Sequence, residues 1–287
     1  MEVALAALAA FLFALGTTLQ QKGVMAAPAR SARGIAALLL NLARRPVWLG
    51  GIVADALGFI AQAIALGVGR LAIVQPVLTT TIVFALPLGA WLTGQRILPR
   101  EIVAALAVTA GISAFLLVSD PAGGRDDAPV AEWLEAAVPI ALVCAALVFA
   151  GSRSGAGPKA ALYGSATGIL FGLSAALTKA TVDQLDEGAV ALLTDWHFYA
   201  LLVVGYLSMT LSQLSLQTGV LAPAIATASI LDPIASVVLG VTLLQEKLHE
   251  DTAGVAVSCA AFAVMLSGLV VLARSRGASP PGPPVSA

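Results

Sequence analysis

Long apolar runs, each closed by a short polar or glycine- and proline-marked break, follow one another along nearly the whole chain. A membrane-spanning helix needs about 20 mostly apolar residues, because the hydrocarbon core is about 30 Å thick and a helix rises about 1.5 Å per residue. Nine runs qualify: Val3–Leu19, Val47–Val68, Leu71–Thr93, Ile102–Ser119, Trp133–Ala150, Ala160–Thr181, Phe198–Gln217, Leu221–Leu244 and Thr252–Ala273. Alternation at period two is absent, and the runs are too long and uniformly apolar for barrel strands. The pattern therefore predicts an all-α, polytopic membrane helix bundle. Ile35–Leu42 is apolar but short, with basic residues on both sides. Segment 31–45 reads as an amphipathic helix on the cytoplasmic surface; if it spans instead, the bundle has ten transmembrane helices.

Two stretches of the pattern repeat one another at a constant offset of 150 residues. Leu66 matches Leu216, Gly69 matches Gly219, and Leu71 and Ala72 match Leu221 and Ala222. Ala85 matches Ala235, Gln95 matches Gln245, Leu98 matches Leu248, and Ala110 matches Ala260. In each stretch a glycine-hinged turn opens onto an apolar span with internal proline, Pro76 and Pro87 or Pro223 and Pro233. A polar break then leads to a second apolar span. With nine spans the two breaks, 95–98 and 245–248, fall on opposite sides of the membrane, so the repeats are inverted. Inverted duplication marks secondary transporters, whose solute site lies between the halves.

Composition strengthens the membrane assignment and adds an orientation. Apolar residues make up 59% of 287 positions and charged residues 11%, against roughly 45–50% and about 25% in soluble domains. Eleven cations fall on one side: Lys22, Arg30, Arg33, Arg44, Arg45, Arg96, Arg100, Arg153, Lys159, Arg274 and Arg276. Only Arg70, Arg125 and Lys247 fall on the other. The positive-inside rule makes the first side cytoplasmic, with the N-terminus outside and the C-terminus inside. Met1-Glu2-Val3 lacks the basic start of a cleavable signal, so the first run is expected to remain as a helix. The organisation expected is a first membrane repeat over 1–119, an external linker over 120–132, a second repeat over 133–273, and a disordered cytoplasmic tail over 274–287.

Charges inside spans are expensive, about 2.5–3.5 kcal/mol on insertion scales, so they survive mainly beside a cavity or a partner. Asp55, Asp232 and Lys179 are the candidates. One reading has Asp55 and Asp232 lining a central cavity and binding a cation, a proton or an amine, with Lys179 balancing charge. The other has a static Lys179–Asp pair, and Asp232 capping a helical segment that starts at Pro233. Among intramembrane amides, Gln62, Gln75, Gln213 and Gln217, the near-equivalent placing of Gln62 and Gln213 in the repeats favours those two for solute contact. Pro76, Pro87, Pro223 and Pro233 are candidate hinges. Gly164, Gly168 and Gly172 form a small-residue ladder suited to close helix packing. His197 and His249 read as interfacial, and Cys144 and Cys259 as small apolar-site residues.

No hydrolytic triad, phosphate-binding loop or dinucleotide fingerprint occurs. The reading is thus of a non-enzyme without cofactor, driven by gradients. Its basic residues are explained by topology, which gives no support for nucleic-acid binding. Partners expected are membrane lipid and a small solute or cation, with a homodimer left open.

Three segments resemble a known family. Phe13–Gly23 (FALGTTLQQKG) is similar to the first helix of NIPA-type magnesium transporters, which ends in Lys-Lys-Gly. Pro46–Gly50 (PVWLG) resembles their Trp-Trp-Ala-Gly start of the next span, and Gly172–Lys179 (GLSAALTK) their Gly-x-x-Thr-Val-x-x-x-Lys helix. Where that pattern has Gly-Glu-x-x-Asn, this chain has Asp55 through Gln62 (DALGFIAQ). The run from Gln75 (QPVL) and the breaks at 94–97 and 246–248 are equally similar to EamA-type exporters. Together these place the resemblance in the drug/metabolite transporter superfamily. It implies a plasma-membrane secondary transporter that moves a small polar or amphipathic solute by alternating access, coupled to a proton or cation gradient. The alternatives are a magnesium carrier using Asp55 and Asp232 as oxygen ligands, and a membrane scaffold with no solute path.

Overall fold

The computed structural model describes residues 1–25, 44–94, 97–119, 122–184, 188–218, 220–248 and 252–277. Most of the expected surface helix over 31–45, all of the tail beyond Gly277, Gln95, Arg96, Gly219 and His249 lie outside the described residues.

Nine spans are present among the described residues. They are α1 (Glu2–Met25), α2 (Pro46–Val68), the pair α3 (Leu71–Leu78) and α4 (Thr81–Thr93), α5 (Pro99–Ser119), α6 (Val130–Ser152), α7 (Ala156–Asp183), α9 (Trp196–Leu216), α10 (Leu221–Thr242) and α11 (Thr252–Gly277). A short helix α8 (Ala189–Thr194) precedes α9. A two-residue antiparallel ladder joins β1 (Ala122–Gly123) to β2 (Glu246–Lys247). The all-α polytopic bundle read from the sequence is the architecture observed.

Helix ends reach past the apolar runs where local chemistry allows. α1 carries Glu2 in its first turn and Lys22 in its last, each complementing the helix dipole. α5 begins at Pro99, whose missing N–H costs nothing there, and the Glu101 carboxylate accepts from the Leu98 amide at 2.8 Å. Two expected boundaries are corrected. Helix α11 continues through Arg274–Gly277, and α6 begins at Val130 inside the expected linker.

The central helix is α7, which packs against α2, α3, α6, α9 and α10. A Cβ added at Gly164 would lie 2.4 Å from the Ala224 carbonyl, at Gly168 2.4 Å from that of Ala228, and at Gly172 2.7 Å from the Ala235 Cβ. The ladder lets the α7 and α10 backbones touch, as expected of small residues in membranes. Helices α1 and α2 pair through Gly16 and Gly51, and α5 and α11 through Gly111 and Gly268. Helices α6 and α9 present Leu134, Leu142, Phe149, Leu202, Val203 and Tyr206 outward, an apolar exterior suited to lipid.

Span α3–α4 starts at the same end of the bundle where α10 finishes, because the Leu71 amide meets the Glu246 side chain. The matched stretches therefore run in opposite directions.

Candidate functional site

The four prolines do not act alike. In the span that holds Pro76 and Pro87 the α-helical pattern changes between α3, which stops at Leu78, and α4, which starts at Thr81, while Thr79 and Thr80 keep right-handed helical φ of −62° and −63°. There the backbone tightens, with Thr79 N–H donating to Pro76 O at 3.1 Å and Thr80 N–H to Val77 O at 3.0 Å. Three consecutive hydroxyls also donate to carbonyls three residues back: Thr79 to Pro76, Thr80 to Val77 and Thr81 to Leu78, at 2.6–2.7 Å. Pro87 and Pro233 sit inside uninterrupted helices. Pro223 lies in the first turn of α10, where its N–H would have no acceptor. All three therefore stand within continuous helix in this conformation.

Asp55 is partly exposed on α2 and accepts a hydrogen bond from the Gln20 side-chain amide of α1. A Cβ at Gly16 would fall 2.0 Å from the Asp55 Oδ1, so that glycine makes room for the carboxylate. Asp232 is partly exposed in mid-α10, and its nearest hydrogen-bond partner is the Ser236 hydroxyl at 3.5 Å. Helix α10 runs through Asp232 without interruption, so no helical segment starts there to be capped. The two acids take different partners on different helices. Among the described residues, no group of three or more His, Cys, Asp or Glu side chains could hold a metal ion. Gln62 is partly buried and Gln213 exposed, and neither side chain bonds another described residue; the buried amide is Gln75, 3% exposed.

Lys179 joins neither acid. It is 4% exposed, and its ammonium donates to Gly69 O at 2.8 Å, Leu66 O at 3.1 Å and Asp126 Oδ1 at 2.8 Å. All three donors are used, which is what allows a lysine to be buried here. Lys179 does pair with an aspartate, Asp126 of the linker.

Around Lys179 the loops of one bundle end enclose a polar pocket of about 350 Å³, lined by Glu2, Gly67–Arg70, Gly123–Asp126, Lys179 and Glu246. Arg70 faces Glu2 at 3.6 Å, and Arg125 pairs with Glu132 and donates to Leu243 O. Glu246, 2% exposed, accepts from the Leu71 amide at 2.6 Å and the Ala72 amide at 2.8 Å, covering the positive end of α3. Gln245, just before it, holds a left-handed φ of 54°, a strained conformation for a non-glycine residue. That bend turns the Glu246 side chain inward. Burial pushes its carboxyl above the usual glutamate range, while the two amides and the charges of Lys179 and Arg70 oppose the shift only partly.

Beside the pocket, Asp127 accepts from the Trp133 indole at 2.9 Å and lies 3.1 Å from His197 Nε2. Asp195 caps α9 through the His197 amide and meets the His197 ring at 2.6 Å. His197 is 2% exposed and packs against Trp133 and Trp196. The residue expected at a span entrance stands there, in the first turn of α9, buried in a clasp of aspartates and indoles.

Glu246, Asp126, Gln20 and the threonine triplet were outside the candidates drawn from sequence. Only the triplet has a local signal: three adjacent β-branched hydroxyl residues, poor helix formers, in mid-span soon after a proline.

Compared with known proteins, the chain is 30% identical over 239 residues to the uncharacterized protein Cgl0250/cg0304 of Corynebacterium glutamicum, spanning 83% of this chain and 82% of that protein. No family model and no solved structure matches the chain.

Proposed function

We propose that the chain, which belongs to the family of the Corynebacterium glutamicum protein Cgl0250/cg0304, is a secondary transporter of the drug/metabolite type. It moves a small polar or amphipathic solute across the plasma membrane by alternating access, with the Lys179–Glu246 end outside. The observation that carries this reading is the 3₁₀ turn at Thr79–Thr80 in the middle of a span. A stretch of 3₁₀ geometry inside a helix often marks a functional hinge, and a hinge at this depth is what exchange between two halves of a transporter requires. Two further features support it: the matched halves run antiparallel, and one bundle end is sealed by paired charges over a polar pocket. Asp55 stands on α2 about 14 Å from the helix end opposite the seal, at 1.5 Å per residue, within reach of a solute entering from that side.

The test is flux through reconstituted vesicles carrying pH and potassium gradients, screened with amino acids, amines and divalent cations. One solute class should move down an imposed gradient. The Thr79→Ala, Thr80→Ala, Thr81→Ala triple variant removes the hydroxyl bonds at the turn and should lose at least about tenfold of that flux, roughly 1.4 kcal/mol of barrier. Full flux in the triple variant would remove the supporting observation. A folded, inserted protein that moves none of the panel would favour a scaffold.

A further inference from the structure

We propose that the inner face of α10 around Asp232, with Gln75 of α3 near the same depth, is a binding site for the ammonium group of an amine solute, an assignment that rests on the transporter reading above and gives that solute its class.

Asp232 stands in the middle of α10, about 16 Å along the helix from Leu221. The lipid side of that helix is marked by Val238 and Val241, 52% and 38% exposed. From Asp232 to Val241 the helix makes about two and a half turns, so the two residues point to opposite sides. Asp232, Ser236 and Gly240 follow at intervals of four and share one face; Ser236, Gly240 and the adjacent Pro233 are all buried. That face meets α3, since a Cβ on Gly240 would lie 3.4 Å from the Ala72 amide nitrogen. The exposure Asp232 retains is therefore toward the interior of the bundle.

From the Ala72–Gly240 contact, α3 and α10 run to the same depth side by side. Asp232 and Thr80 each lie about 12 Å from that contact along their helices, which brings the carboxylate level with the 3₁₀ turn; Gln75 falls level with Ser236. Several polar groups here lack partners among the described residues. Gln75 is 3% exposed, and its side chain makes no hydrogen bond there. Ser229, one turn before Asp232, is partly buried and its hydroxyl is likewise unbonded. Pro233 has no N–H to give, which leaves the Ser229 carbonyl without its helical donor. Asp232 itself has only the Ser236 hydroxyl, at 3.5 Å, the outer limit of such a bond. Of the helices packed on α10, α7 brings a buried lysine, and Lys179 is held by Asp126 and two carbonyls at the pocket end.

Acids at membrane depth pair with a cation or line a solute path, and buried polar groups are hydrogen-bonded. What is missing on this face is thus a donor that carries one positive charge. Calcium or magnesium needs about six oxygens at about 2.0–2.6 Å, whereas Ser229 and Ser236 stand about 10 Å apart along the helix and cannot share one such shell. An ammonium group needs three acceptors and offers no lone pair. Asp232 with the Ser229 hydroxyl and carbonyl supplies three, and the remaining length of the face, with Gln75, accommodates the rest of an amine.

The experiment is thermal unfolding of the full chain in detergent, titrated with methylammonium, butylammonium and benzylammonium chlorides. Sodium and magnesium chlorides at matched ionic strength, and neutral butanol, are the controls. At least one amine should raise the melting temperature saturably, because a ligand of the folded state stabilises it, and the controls should not. Asp232→Asn keeps the shape and removes the charge, and should move the titration midpoint at least about tenfold upward. Ser229→Ala and Gln75→Met keep the acid and should each move it about threefold. No saturable shift with any of the three amines, a shift with sodium or magnesium as large as theirs, or a midpoint unchanged in Asp232→Asn would each overturn the proposal. If Asp232→Asn does not fold, the other two variants decide, and unchanged midpoints in both overturn it. Binding needs no flux, so amine binding to a chain that moves nothing defeats the transporter reading alone. Flux of an uncharged solute, unaltered by Asp232→Asn and with no amine bound, defeats only the amine site.

Discussion

Replacing Gly168 by alanine adds one methyl group to a place where the structure leaves no room. The new Cβ would lie 2.4 Å from the Ala228 carbonyl oxygen and 3.0 Å from both the Asp232 amide nitrogen and the Leu231 Cβ. Ordinary van der Waals contact starts near 3.4 Å, so α10 must withdraw by about 1 Å, and packing of this density does not yield freely. Two effects oppose each other. Alanine improves helix propensity by about 1 kcal/mol, while overpacking costs about 1–3 kcal/mol. Backbone rather than a flexible side chain is struck, and Gly164 and Gly172 hold the same contact one turn to either side, so overpacking should win by about 1–2 kcal/mol. The internal control is Gly205→Ala in α9, where a Cβ meets nothing within 4 Å and the same methyl should stabilise by about 0.5–1 kcal/mol. The assay is thermal unfolding of the purified chain in detergent, the two variants run beside wild type. Gly168→Ala should melt below wild type and Gly205→Ala at or above it. Equal stability of the two variants would refute close α7–α10 packing. The same displacement moves Asp232, so flux should fall in Gly168→Ala even at temperatures where the protein is folded.

Three other substitutions probe the polar groups. Asp55→Asn keeps a hydrogen-bonding partner for Gln20 and should leave melting within a few degrees of wild type, yet abolish flux; retained flux would make Asp55 a packing residue. Lys179→Met leaves the Leu66 and Gly69 carbonyls without a donor, at about 1–3 kcal/mol each. A denaturation series should show that loss, and only about 0–1 kcal/mol should be attributable to Asp126, whose side chain is 58% exposed. Trp133→Phe removes the indole donor to Asp127 while keeping the ring packing, and should lower stability by about 1 kcal/mol; an unchanged melting curve would show that the clasp contributes packing alone.

The spans were legible because a bilayer demands about 20 apolar residues with every backbone group paired internally, and that demand is written in composition. The glycine ladder was legible for a similar reason, since its spacing fixes one helix face. The 3₁₀ turn in the third span was hidden: Leu71–Thr93 reads as one apolar run, and hydropathy does not register where amide bonds tighten from four residues back to three. Lys179 illustrates a deeper limit. Its span position marks it as special, but its partner Asp126 lies 53 positions earlier in a linker whose return path depends on two glycines at φ 62° and 95° and on a two-residue ladder. Glu246 sits in a sequence break that reads as a loop, and its ligands are backbone amides of another helix, which no residue pattern announces. Equivalence of Gln62 and Gln213 under the repeat does not translate into equivalent surroundings, because α2 and α9 meet different neighbours.

The pairing of α5 with α11 has a consequence for how the chain is made. Helix α5 ends at Ser119 and its main partner α11 begins only at Thr252. At about 5–20 residues per second of synthesis, that gap amounts to on the order of ten seconds. Throughout it, α5 stands in the bilayer with Gly111, the notch that will receive the Met265 backbone, turned to lipid or to whatever helix drifts past. Its apolar surface makes this wait tolerable, and the notch makes it selective, since a close backbone contact rejects bulky substitutes. Assembly of the nascent protein is therefore timed by its late-made helix, and a variant that closes the notch, such as Gly111→Val, should send more chains to membrane quality control than its equilibrium stability alone would account for.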